Sequence, residues 1–90
     1  MTPEYAAFLE DQRRAWQEFK GALRYVCPSG YDQDRWEMAR RRWVNNEHMK
    51  VIAADYGVTT ATIRYHTERI QRRWIRRNCF DRQHLATHLS

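Results

Sequence analysis

Residues 49–66 read Met49-Lys50-Val51-Ile52-Ala53-Ala54-Asp55-Tyr56-Gly57-Val58-Thr59-Thr60-Ala61-Thr62-Ile63-Arg64-Tyr65-His66. Two helices that cross sharply over a short turn place four demands on such a stretch. The first helix needs a small side chain where the second crosses it, and Ala53 supplies it. The turn needs a residue that accepts a left-handed backbone, which is Gly57. An apolar plug follows at Val58, and a branched core residue comes about five places later, at Ile63. All four fall in register, so the stretch predicts a helix-turn-helix. Its first helix is expected from about Glu47 to Tyr56. The second is expected to start after a Thr59 or Thr60 cap and to reach Arg77. Ile63, His66, Ile70 and Trp74 form an inward stripe on that second helix. Thr60, Ala61, Arg64, Tyr65 and Glu68 then face outward.

Upstream, Trp36, Ala39 and Trp43 mark the inner face of a helix expected to begin at Asp32, while Arg35, Arg40, Arg41 and Arg42 load its outside. Asn45-Asn46 breaks it, because both side chains compete for helical hydrogen bonds. Further back, Thr2-Pro3-Glu4 is a helix start: a capping hydroxyl, a proline in the first turn and an acid at the positive end of the dipole. Tyr5, Phe8, Leu9, Trp16, Phe19, Leu23 and Val26 continue one helical stripe as far as Cys27-Pro28-Ser29-Gly30, where proline and glycine end it. After Arg77, Asn78 or Asp81 restarts a short helix carrying Leu85 and Leu89. No alternating strand pattern occurs. The expected fold is all-α: one domain over residues 1–90, a small bundle of four to five helices. It divides into an N-terminal helix (1–27), a helix-turn-helix unit (32–77) and a tail or short helix (78–90).

The stretch from Arg35 to Arg77 resembles the promoter-reading C-terminal domain of sigma factors and the related LuxR-type DNA-binding domain. The likeness lies in Val51-Ile52-Ala53, Gly57-Val58-Thr59 and Thr62-Ile63-Arg64-Tyr65-His66, with Arg35 to Trp43 standing where that family has its supporting helix. Residues 1–30 and 78–90 fall outside the resemblance, and no other sigma region accompanies it. The resemblance therefore implies a stand-alone bacterial, phage or plasmid regulator rather than a sigma factor.

The charge agrees with a polyanionic partner. The chain carries +5 at a sequence pI of about 9.7, and all of its basic residues except Lys20 and Lys50 are arginine, the side chain that forks onto phosphate and guanine edges. In a helix-turn-helix the first turns of the second helix enter the major groove. That assigns base contacts to Thr60, Ala61, Arg64, Tyr65 and Glu68. Arg64 suits a guanine edge. Glu68 suits cytosine, or else holds an arginine in place. Phosphate contacts fall to Lys50, Thr59, Thr62, Arg69, Arg72, Arg73 and Arg76, with Arg77 and the run Arg40 to Arg42 as further candidates. His66, on the inner stripe, is expected to be a packed, hydrogen-bonded histidine.

The first helix has more apolar surface than a three-helix unit needs, so Phe8, Trp16 and Phe19 are expected to form a homodimer interface that matches a palindromic operator. These features together predict a sequence-specific, dimeric transcriptional regulator of repressor type. Two alternatives share the same elements: a factor bound to RNA polymerase, such as an antiterminator, and a DNA-packaging accessory protein. Catalysis is not expected, because there is no phosphate loop, no nucleophile elbow and no paired carboxylate. Cys27, Cys79, His84 and His88 have zinc-compatible spacings but lack a paired-cysteine knuckle, so no metal or other cofactor is expected. No window is apolar enough to span a membrane and Met1 to Glu4 does not open a signal peptide, so a cytoplasmic location is expected.

Overall fold

Thr2 opens the first helix of the computed structural model, which describes residues 2–80. Its hydroxyl accepts the Tyr5 N–H at 3.2 Å, Pro3 fills the first turn, and α1 runs Pro3–Ala22. The next helix, α2, spans Gln33–Trp43 and is capped by Asp32, whose carboxylate accepts the Arg35 N–H at 3.0 Å. Helix α3 (Met49–Tyr56) starts at His48, whose Nδ1 accepts the Lys50 N–H at 3.3 Å. Helix α4 (Thr60–Ile75) is capped by Thr59 through the Thr62 N–H at 3.2 Å. A π-helical turn, Arg76–Phe80, prolongs it. The chain is thus an all-α bundle, with no strand among the described residues.

The core has two parts. In one, Ala15, Phe19 and Leu23 pack on Trp36, Ala39, Ile70 and Ile75. In the other, Met38 packs on Ile52, Ala53 and Ile63. Helices α2 and α4 contribute to both parts and so join them. Phe19 is the hub of the first: its ring lies 5.6–6.1 Å from those of Trp16, Trp36, Trp43 and Trp74, which are all of the chain's tryptophans. The edge-on and tilted geometries at these distances are those that aromatic quadrupoles favour.

Arginines of α2 tie the elements together. Arg40 donates to the carbonyls of Leu23 and Tyr25, both at 2.6 Å, and pairs with Glu37. It thereby holds down the loop leaving α1. Arg41 forks onto Glu47 at 2.9 and 2.8 Å and also reaches Asp55 on α3. Arg42 lies over the Trp43 ring at 4.7 Å and donates to Thr67 of α4 at 2.7 Å.

Several expectations need correction. Helix α1 ends at Ala22 rather than at Cys27. Leu23 remains in the core, but Val26 is 88% exposed. Helix α3 begins two residues later than expected, because Glu47 is held by Arg41 and His48 is the cap. Asn45-Asn46 does break α2, and Asn46 takes a left-handed φ of 55°. Val58 is not a buried plug; it is 37% exposed. Phe19 is fully buried within one chain, so it has no surface to offer a partner. Trp16 is half-buried against Trp43, 5.0 Å away edge-on. The run Arg40 to Arg42 is not a solvated outer face, since each guanidinium is held internally. The expected last helix with Leu85 and Leu89, and the histidines His84 and His88, lie outside the described residues, as does the Cys79 side chain.

Candidate nucleic-acid interface

The turn between α3 and α4 follows from three local facts. Gly57 takes φ 66°, ψ 34°, the left-handed conformation that ends a helix at little cost for glycine. The Val58 N–H then reaches back to the Ala53 carbonyl at 3.0 Å, closing the Schellman pattern. Thr59 returns to extended backbone and caps α4. Ala53, Ile52 and Ile63 are buried where the two helices meet. The turn therefore presents the N-terminus of α4 outward on a packed base.

On that N-terminal half, Thr60, Ala61, Arg64 and Tyr65 are all exposed. Glu68 departs from the other base-contact candidates. It is half-buried and leans toward Arg42 of α2 at 3.9 Å, so it acts as the anchor of an arginine. Thr59 and Thr62 engage each other, with their hydroxyl oxygens 3.0 Å apart. Lys50 is exposed in the first turn of α3. Arg69, Arg72 and Arg73 are exposed on the distal half of α4, and Arg76 and Arg77 of the π-helical turn extend the row. These five line a cleft of about 460 Å³. Arg69 also donates to the Tyr65 hydroxyl at 3.2 Å, linking the two halves of the surface.

From Thr60 to Arg77 the sequence holds six arginines and one acid, and that acid is the one turned toward Arg42. Among the described residues, the exposed side of α4 is consequently positive charge with no carboxylate in ion-pair contact, which concentrates a positive potential along one helix. The aligned peptide dipoles add partial positive charge at its N-terminus.

The parts played by two residues, Thr67 and Arg35, were missed in the sequence. Thr67 is fully buried, accepting from Arg42 and donating to the Ile63 carbonyl at 2.7 Å. Its place in the series Ile63, Thr67, Ile70, Trp74, with steps of four, three and four, marks it as inward, but a search for apolar residues passes over it. Arg35, expected only as outer charge, stands beside His66. The imidazole of His66 is half-buried and its Nδ1 lacks a hydrogen-bond partner among the described residues, unlike the satisfied histidine expected. Burial, then Arg35 and Arg69, hold its pKa below the usual imidazole value, against the opposing effect of Asp32.

No group of three metal-ligating side chains occurs among the described residues, and no helix among them is long and apolar enough to cross a membrane. No family model, curated protein or solved structure matches this chain.

Proposed function

We propose that this chain binds double-stranded DNA in a sequence-specific way and regulates transcription, with the N-terminal half of α4 in the major groove. The observation that carries the proposal is the arginine row on α4, uncompensated along its exposed side, on a helix presented end-first by the Gly57 turn. Exposed Thr60, Ala61, Arg64 and Tyr65 are the base-edge residues. Arg64 reads guanine, because a guanidinium fork matches its O6 and N7 acceptors. Lys50, Arg69, Arg72, Arg73 and Arg76 grip phosphates and set the register. Thr59 and Thr62 act mainly as the cap of α4 and offer phosphate its backbone N–H groups.

The protein acts as a dimer on a palindromic operator and represses by occupying it. The uncovered stripe of Tyr5, Phe8 and Leu9 on the first half of α1 supports the dimer, with Phe8 55% exposed. Phe19 has no part in that interface.

Selection of bound fragments from a random duplex pool, with wild-type protein and with Arg64→Ala, tests the proposal. A two-fold symmetric motif is expected, with one guanine position relaxed in the variant. Salt-sensitive binding without a motif, unchanged by Arg64→Ala, would overturn sequence-specific reading. It would move weight to a packaging role or to a role on polymerase.

A further inference from the structure

Between the start of α2 and the flank of α4 lies a small cleft of about 90 Å³, lined by Tyr31, Asp32, Arg35, His66, Arg69, Ile70 and Arg73. It lies beside the base-reading residues and uses none of them. Its lining is unusual in three respects. Three guanidiniums converge on it, and none of them has a carboxylate within ion-pair distance among the described residues. Two of its residues carry buried polar atoms with no hydrogen-bond partner among the described residues, the Tyr31 hydroxyl oxygen and His66 Nδ1. Arg73 is stacked over the Tyr31 ring at 4.7 Å, which fixes a cation at the same wall.

Buried polar groups without partners are costly, so two of them on residues lining one small cleft, beside cations with no carboxylate partner, point to a ligand that satisfies them together. The groups present are mostly donors: three guanidiniums, a phenol and an imidazole. Asp32 is the one acid in the lining, and its carboxylate already accepts the Arg35 N–H as the cap of α2. A cation would face three guanidiniums. A neutral ring would leave their charges uncompensated.

We propose that this cleft is an oxyanion site that takes a phosphoryl group, held by Arg35, Arg69 and Arg73 with Tyr31 and His66 as further donors. Guanidinium forks match phosphoryl oxygens in geometry, and hydrogen bonds between charged partners are the strong ones. The phosphoryl group belongs either to the DNA backbone or to a free phosphorylated ligand. The site does not rest on the DNA reading, because inorganic phosphate alone probes it.

The groups facing His66 also predict how it reports occupancy. Arg35, from α2, and Arg69, from its own helix, disfavour the imidazolium. Asp32 favours it, and the Tyr65 ring sits 5.5 Å away. A bound dianion adds negative charge at this point and raises the His66 pKa.

The experiment is NMR of the imidazole nitrogens in the full chain, titrated with inorganic phosphate against chloride at matched ionic strength. Saturable movement of the His66 signals and an upward shift of its pKa are expected. Arg35→Gln and Tyr31→Phe keep the fold, which their melting curves verify. Arg35→Gln weakens phosphate about tenfold by removing one charge-assisted bond, and Tyr31→Phe weakens it less. A second arm adds duplex DNA. Displacement of phosphate by duplex, or a His66 response to duplex alone that Arg35→Gln abolishes, assigns the site to the backbone. Simultaneous binding of phosphate and duplex assigns it to a free ligand, as does phosphate binding without any DNA binding. His66 signals indifferent both to phosphate beyond the chloride control and to duplex overturn the site.

Discussion

Arg42 on α2 donates from Nη1 to the Thr67 hydroxyl on α4 at 2.7 Å, and Thr67 in turn donates a hydrogen bond to the Ile63 carbonyl. One fully buried hydroxyl is thus satisfied as both acceptor and donor, and a half-buried cation has a fixed partner. Thr67→Val keeps the shape but removes the acceptor. We expect a loss of about 1–2 kcal/mol in urea unfolding, and a smaller loss for Thr67→Ser. A Thr67→Val protein as stable as wild type would mean that Arg42 finds Glu68 and the Trp43 face sufficient.

Gly57 has φ 66°, and an added Cβ would meet nothing within 4 Å. The cost of Gly57→Ala is therefore conformational rather than steric, about 1–2 kcal/mol. Gly57→Asn should lose less, because asparagine tolerates the left-handed region. Equal losses for the two variants in chemical denaturation would contradict this account.

Phe19 and Phe8 share a helix but not a fate. Phe19→Ala empties the hub of the aromatic cluster and should cost about 3–5 kcal/mol, enough to unfold much of the population. Phe8→Ala should leave the unfolding midpoint within about 0.5 kcal/mol of wild type while lowering the sedimenting mass of the proposed dimer. A Phe8→Ala protein with the mass of wild type would remove that stripe from the interface.

Arginines of α4 and arginines of α2 should respond differently to salt. If Arg72 and Arg76 neutralise phosphates, each alanine variant lowers the slope of log K against log salt by about 0.9. Arg41→Ala should leave that slope alone and lower fold stability instead, since Glu47 and Asp55 already hold Arg41. Fluorescence anisotropy with one labelled duplex over a salt series measures the slopes.

His66 titrates below the usual imidazole value of 6.5 in the folded chain. The unfolded state therefore takes up a proton before the folded state does. Stability from neutral His66 is complete above the ordinary value and is lost as pH falls through the lowered one. His66→Gln should flatten the pH dependence of unfolding in that mildly acidic window. Glu47, held below the usual carboxylate value by its hydrogen bond from Arg41, adds its own loss at more acidic pH. An unchanged pH profile in His66→Gln would show that imidazole burial is not felt.

Element starts were legible because capping is local chemistry: Thr2, Asp32 and Thr59 each cap a helix where their residue type suggested. The inward places of Ile63, Ile70, Trp36 and Ala39 followed from periodicity alone. What escaped depended on contacts between elements. The end of α1 could not be read from its stripe, because Leu23 stays buried after the helix has stopped. Arg40, Arg41 and Arg42 resemble a solvated basic run in a linear string, and only tertiary packing brings two carbonyls, three carboxylates and a threonine hydroxyl to meet them. Thr67 and Arg35 were hidden for the same reason, one as a polar residue in an apolar series, the other as a charge with its neighbours far along the chain. Exposure of Thr60, Ala61, Arg64 and Tyr65 agrees with the sequence, and Glu68 stands beside Arg42, as the second of the two roles read for it requires.

The internal commitments of Arg40, Arg41 and Arg42 set these three cations apart from the arginines of α4. These three are partly shielded and held at contact distance, where dissolved ions intervene weakly. Those on α4 stand in open solvent, where ions compete fully. Rising ionic strength thus acts on what the surface holds well before it acts on what holds the surface. On the proposed function, the protein would release its polyanion while remaining folded, and attachment and integrity would be separately adjustable quantities in one ninety-residue chain.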